Sequence, residues 1–153
     1  MKLSTKSRYA VMAMCDLASS AQGRPISLAE IALRQDISLS YLEQLFARLR
    51  RAGLVSSVRG PGGGYLPGKS LGDMRIAEIV QAVDIDTPRG SCTPGAPHCC
   101  SGKGATCQTH DLWEQLGKQM LWFLNRVTVE DVLAGRVPGA TTTKDPKAQA
   151  AAD

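Results

Sequence analysis

Residues 37–65 read ISLSYLEQLFARLRRAGLVSSVRGPGGGY, and two periods meet within them. Leu42, Leu45, Phe46 and Leu49 recur at helical spacing, so one apolar stripe runs down a helix that starts at Ser38 or Ser40. Gly53 stands where a left-handed C-terminal cap is wanted. The period then becomes extended: Leu54–Val58 predicts a strand, Arg59–Gly64 a loop and Tyr65–Leu66 the returning strand. Upstream, Ser27-Leu28-Ala29-Glu30 is a capping box, in which Ser and Glu side chains satisfy each other's free backbone N–H groups. It opens a short helix through Leu33 to about Gln35. Before that, Tyr9, Ala10, Ala13, Met14, Leu17 and Ala18 mark a helix that begins at Ser4 or Thr5 and stops ahead of Gly23-Arg24-Pro25. Three helices and a hairpin, with a short link between the second and third helices, predict a winged helix-turn-helix, mainly α with a small β-hairpin wing.

Beyond the hairpin, Ile76, Ile79, Val80 and Val83 mark a short fourth helix. Residues 86–109 are rich in Pro, Gly, Cys, Ser and Thr and carry no period; long loops of this kind are functional or disordered. A long helix follows from about Thr109 to Asn125, with a wide stripe of Leu112, Trp113, Leu116, Met120, Phe123 and Leu124. Thr128–Leu133 predicts a final helical turn or two. Residues 138–153 have nothing to bury and are expected to be disordered. The expected division is therefore 1–70 for the winged helix-turn-helix, 71–137 for the later helices with a cysteine-rich loop at 86–110, and 138–153 for the tail.

The chain has 153 residues, a size for one domain or a small domain with an appendage. It is 43% hydrophobic and 21% charged, an ordinary balance for a chain with a core. Aromatics at 5% are too few for a platform that stacks single-stranded nucleic acid. The longest apolar run, Tyr9 to Cys15, is far short of the ~20 residues that span a bilayer, and no signal-peptide pattern opens the sequence. The expectation is a cytoplasmic chain with no membrane partner. The net charge of +4 is unevenly spread: residues 1–69 hold ten Lys/Arg against four Asp/Glu, and residues 70–153 hold eight against ten. A basic N-terminal half suits a polyanion partner, although a solvated basic surface would look the same by charge alone.

The third helix turns Ser40, Glu43, Gln44, Ala47, Arg48 and Arg51 away from its apolar stripe. In a helix-turn-helix, the start of the second helix meets base edges in the major groove of double-stranded DNA while flanking cations hold phosphates. Ser40, Tyr41, Glu43 and Gln44 are then candidate base readers, Gln suiting adenine and Glu the cytosine amino group. Arg48, Arg50 and Arg51 would supply attraction independent of sequence. A carboxylate near phosphates is repelled, so Glu43 makes sense as a base reader or as a group that rejects wrong sites. Arg59, at the base of a glycine-rich wing, is placed to enter a narrow minor groove, the small residues allowing close approach to a backbone. Gly-Pro-Gly-Gly-Gly lacks the Gly-Lys-Ser/Thr ending of a phosphate-binding loop, so nucleotide binding is not expected.

Four of the five cysteines fall together: Cys92, Cys99, Cys100 and Cys107, with His110 three residues after the last. Six residues separate Cys92 from Cys99 and six separate Cys100 from Cys107. Three cysteines and a histidine supply the four ligands of an iron–sulfur cluster or a structural zinc. The paired Cys-x2-Cys knuckles of ordinary zinc modules are absent, and widely spaced thiolates suit the larger cluster; zinc, a thiol switch and an inert loop remain open on spacing. Adjacent Cys99 and Cys100 point different ways, so one of them is expected to join any single site. Cys15 reads as a core thiol, and His98 as an exposed bystander with a substitute ligand as the alternative. No Ser/His/Asp set, paired carboxylate or His-Glu-x-x-His pattern offers catalysis, so the chain is not expected to be an enzyme.

The run Ile37–Phe46 followed by Gly53–Tyr65, with Leu3–Val11 and Phe123-Leu124-Asn125, closely resembles the IscR-type iron–sulfur cluster regulators, a winged helix-turn-helix transcriptional regulator family. The resemblance covers about residues 1–135. It implies a homodimer built on a long dimerisation helix, with reading helices set for a pseudo-palindromic operator. It further implies a 2Fe-2S cluster on three cysteines and one histidine, and control of cluster-assembly genes as repressor or activator. By position, Cys92 would be the first ligand, Cys107 the third and His110 the fourth. The family carries one middle cysteine where this chain has Cys99 and Cys100. Regulators that sense nitric oxide or cysteine share the fold, and a zinc- or thiol-based regulator or an iron–sulfur carrier are the alternatives to the cluster sensor.

Overall fold

The computed structural model describes residues 4–84 and 109–139. Helix α1 spans Thr5–Ala21, and its N-cap Ser4 accepts a hydrogen bond from the Ser7 N–H. Helix α2, Leu28–Gln35, opens on the predicted capping box: the Ser27 hydroxyl accepts from the Glu30 N–H, and the Glu30 carboxylate accepts from the Ser27 N–H at 2.9 Å. Asp36 then takes a left-handed conformation at φ 53°, which a short polar side chain tolerates, and buried Ile37 donates its N–H to the Ala32 carbonyl. That turn ends α2 and sends the chain into α3, Leu39–Arg51. At the far end of α3, Gly53 has φ 73° and the Leu54 N–H reaches the Leu49 carbonyl, a Schellman closure that explains the glycine.

The hairpin consists of β1, Val55–Val58, and β2, Gly64–Pro67, antiparallel with Val55 opposite Pro67 and Val58 opposite Gly64. A further pairing was not legible in the sequence. Ile26, just ahead of α2, bridges Tyr65 through two backbone hydrogen bonds of 3.0 and 2.7 Å. The wing is thereby tied to the head of the helix-turn-helix. Helix α4 spans Ile76–Val83, α5 His110–Arg126 and α6 Val129–Leu133, the last opened by Thr128 in a capping box with Asp131. Residues around Met74–Ile76 pair with Val127–Val129, so the end of α5 is stitched to the start of α4.

The core is assembled around α1, which packs against α2, α3, α4, α6 and β2. Met14, Leu17, Ile26, Ile31, Leu42, Phe46, Leu49, Met74, Ile79, Val83 and Val129 are all fully buried in one cluster that continues across residue 70. Removing a side chain of this size from water contributes roughly 1.5–3 kcal/mol, so the α3 stripe alone fixes that helix to the body. Among the described residues, no helix is long and apolar enough to cross a membrane.

Candidate nucleic-acid interface

The buried side of α3 fixes what its other side presents. With Leu42, Leu45, Phe46 and Leu49 turned inward, helical spacing places Ser40, Gln44, Ala47 and Arg51 along the outward line, with Glu43 and Arg50 on one flank and Arg48 on the other. Ser40, Glu43, Gln44, Arg50 and Arg51 are exposed. Among the described residues, Glu43 makes no ion pair, and neither do Arg50, Arg51 and Arg59. These three arginines are therefore charge uncompensated within the described structure, as cations awaiting phosphate would be.

Tyr41 and Arg48 face other groups. Tyr41 is half-buried, with its ring edge-on to Tyr9 at 6.0 Å between centroids, so α3 is braced on α1 at its first turn. Arg48 is half-buried and its Nη1 donates to the Val83 carbonyl at 2.7 Å, at the C-terminus of α4.

The wing glycines divide into two kinds. Gly60 and Gly62 have φ of 107° and 74° and open space where a Cβ would stand, so they make the turn. Gly63 and Gly64 are instead pressed against the chain's own backbone. A Cβ on Gly64 would lie 2.5 Å from the Ile26 carbonyl carbon and 2.9 Å from the Ser27 nitrogen. For these two the close approach is to the chain itself: Gly63 faces the Val58 and Gly60 carbonyls within the wing, and Gly64 lets the wing close on Ile26 and Ser27 at the head of α2. Arg59 is exposed at the tip side of β1.

Further along α1, Asp16 accepts from Arg34 Nε and Nη2 and from Gln35, joining α1 to α2. Burial pushes the Asp16 carboxyl up, but the hydrogen bonds from Arg34 and Gln35 and the Arg34 charge outweigh it and hold the group below its ordinary value. Neighbouring Cys15 is half-buried and packed against the core, and burial pushes its thiol up, as expected of an inert core cysteine.

Helix α5 buries Leu124 and packs Met120 on the core, while Leu112, Trp113, Leu116 and Phe123 are 61, 47, 46 and 37% exposed. Leu112, Leu116 and Phe123 share one face. Trp122 lies apart from them, under the Arg126 guanidinium at 4.6 Å. Cys92, Cys99, Cys100 and Cys107 lie outside the described residues, as do His98 and the tail beyond residue 139; His110 is the first residue of α5. Among the described residues, no group of three or more His, Cys, Asp or Glu side chains could hold a metal ion.

A tri-helical body with a helix-turn-helix, a two-stranded wing and, on both, cations that make no ion pair among the described residues defines a winged helix-turn-helix regulator. Residues 3–135 match the family model Rrf2, described as iron-dependent transcriptional regulator, and the chain belongs to that family. Its relatives include the HTH-type transcriptional regulator IscR of Enterobacter sp. (strain 638), 44% identical over 100% of this chain and 97% of that protein. The regulator of the same name from Klebsiella pneumoniae is 48% identical over 87% of this chain and 80% of its own length. Among solved structures, T. potens IscR superposes with a TM-score of 0.71 at 37% identity, covering 89% of this chain and 88% of that one. CymR, the global cysteine regulator of B. subtilis, superposes with a TM-score of 0.70 at 30% identity, covering 88% and 98%. The role these relatives are named for is regulatory and not enzymatic.

Proposed function

We propose that this chain is a cytoplasmic, homodimeric regulator that reads a pseudo-palindromic duplex and answers to iron–sulfur supply through a 2Fe-2S cluster, controlling genes for cluster assembly. The observation that carries the reading is α3: a buried apolar stripe on one side and, on the other, exposed Ser40, Glu43 and Gln44 followed by Arg50 and Arg51, which make no ion pair among the described residues. Ser40 and Gln44 contact base edges, Glu43 disfavours mismatched sites, Arg50 and Arg51 hold phosphates, and Arg59 enters the minor groove from the wing. The α5 face of Leu112, Leu116 and Phe123 is the dimer seam, since large apolar side chains this exposed in a row favour burial against a second copy. Residues 1–70 carry the reading and residues 71–137 the pairing and sensing.

The donor set suits the cluster: Cys92, Cys107 and His110, with Cys99 or Cys100, offer soft thiolates and one imidazole, which is the chemistry iron–sulfur clusters take. A bound cluster would supply a redox-active, oxygen-sensitive group whose presence reports supply. The relatives named IscR and the family's iron-dependent description support this reading over zinc.

The test is selection of duplexes from a random library by the full-length chain. Two half-sites related by a two-fold axis, about one helical turn apart or a multiple of it, are expected. Enrichment of no common sequence would refute the reading.

A further inference from the structure

Three elements meet at the end of α4. The Val83 carbonyl is one of the last-turn acceptors that a helix leaves without an internal partner, and Arg48 of α3 donates to it at 2.7 Å. The next residue, Asp84, takes the Ser4 hydroxyl on Oδ1 at 2.6 Å and the Ser7 hydroxyl on Oδ2, both from the start of α1. Ser7 is 1% exposed, so this is a built contact. A guanidinium at a helix C-terminus is also favoured by the helix dipole.

We propose that Arg48 is a positioning residue for sequence reading: it fixes the roll of α3 by anchoring its flank to the α4 terminus that Asp84 ties to α1. The proposal rests on the reading that α3 contacts DNA. The apolar stripe holds α3 against the body, but such contacts are non-directional, whereas a guanidinium–carbonyl hydrogen bond weakens steeply off its axis. Arg48 lies on the flank of α3 opposite Glu43 and Arg50, where an anchor resists rotation. The lever is short. Outward side chains stand about 5–6 Å from a helix axis, so a roll of about 10° moves Ser40 and Gln44 by roughly 1 Å, enough to break a base-edge hydrogen bond. The same terminus lies eight residues before Cys92. A displacement of Val83 and Asp84 therefore reaches the reading helix through one side chain.

The experiment measures affinity of the full chain for the duplex selected by wild type and for a scrambled duplex of equal length, each across a salt series. Arg48→Met is expected to lower the ratio of selected to scrambled affinity about tenfold, the order of one good base contact, with the salt slope on the scrambled duplex unchanged. Asp84→Ala, which frees the same terminus from α1, is expected to lower the ratio in the same direction. Were Arg48 a phosphate contact, Arg48→Met would reduce the slope by about 0.9 and leave the ratio intact, overturning the proposal. An unchanged ratio in either variant would also overturn it. Should Arg48→Met show no melting transition, Arg48→Lys replaces it, since lysine keeps the charge a phosphate needs but not the guanidinium fork. If wild type itself selects no consensus, the DNA reading fails, and that result is distinct from any effect of the variants.

Discussion

Gly64→Ala tests whether the wing is held by α2. A Cβ at Gly64 would push against the Ile26 carbonyl and come within 2.9 Å of the Ser27 nitrogen, and backbone cannot yield as a flexible side-chain end would. The accommodating move is withdrawal of β2 from Ile26. That forfeits the two backbone hydrogen bonds between Ile26 and Tyr65 and loosens the edge-on packing of Tyr65 on Phe46, whose rings are 5.0 Å apart. At about 1 kcal/mol for each hydrogen bond and up to about 1 kcal/mol for the ring pair, the loss is roughly 2–3 kcal/mol. For a chain of this size that lowers Tm by about 8 °C. Thermal unfolding by circular dichroism reads it, and duplex affinity should fall as well, because Arg59 rides on the displaced wing. Gly62→Asn is the control: φ is 74° and the space around it is open, so a residue that tolerates the left-handed region should cost under about 1 kcal/mol. A Gly64→Ala protein that melts within about 2 °C of wild type would refute the clamp.

Three further outcomes follow from the geometry. Asp16 has a folded pKa below its unfolded value, so its contribution is present above about pH 4 and is lost as pH falls through the folded pKa. Asp16→Asn should cost about 2 kcal/mol at pH 7 by chemical denaturation, with the gap to wild type closing below about pH 4; a gap that persists into acid would contradict the ion pair. Glu43→Ala should improve binding to sites that wild type disfavours by about fivefold with little change in salt slope, whereas uniform weakening across sequences would make Glu43 a structural residue. Leu116→Glu should convert a dimer to a monomer in sedimentation without unfolding it, since Leu116 is 46% exposed in the single chain. A dimer that survives places the seam elsewhere.

The winged helix-turn-helix was legible because its signals are local. Periodicity located α1 to α4 within a residue or two, the Ser27–Glu30 box located the start of α2, and Gly53 located the end of α3. What escaped was pairing between distant segments. Nothing at Ile26 announces that it will bridge Tyr65, or at Met74 that it will meet Val129, because an isolated bridge has no period. Arg48 escaped for a related reason. On a helical wheel it joins Arg50 and Arg51 as one more outward cation, and only the placement of the α4 terminus gives it a carbonyl to bind. A glycine run by itself suggests freedom for the wing to approach a partner, yet Gly63 and Gly64 have the chain's own backbone against them. Ser40, Glu43, Gln44, Arg50, Arg51 and Arg59 could be named from type and spacing, but that they are exposed, and that the charged ones make no ion pair among the described residues, are tertiary facts, as is the packing of Tyr41 on Tyr9.

The iron–sulfur cluster proposed for this winged helix-turn-helix chain has a measurable composition. It is tested most directly by purifying the full chain without oxygen and measuring iron, acid-labile sulfide and zinc beside a visible spectrum. About two irons and two sulfides per chain with a coloured spectrum are expected. About one zinc per chain, with no sulfide and no colour, would contradict the cluster.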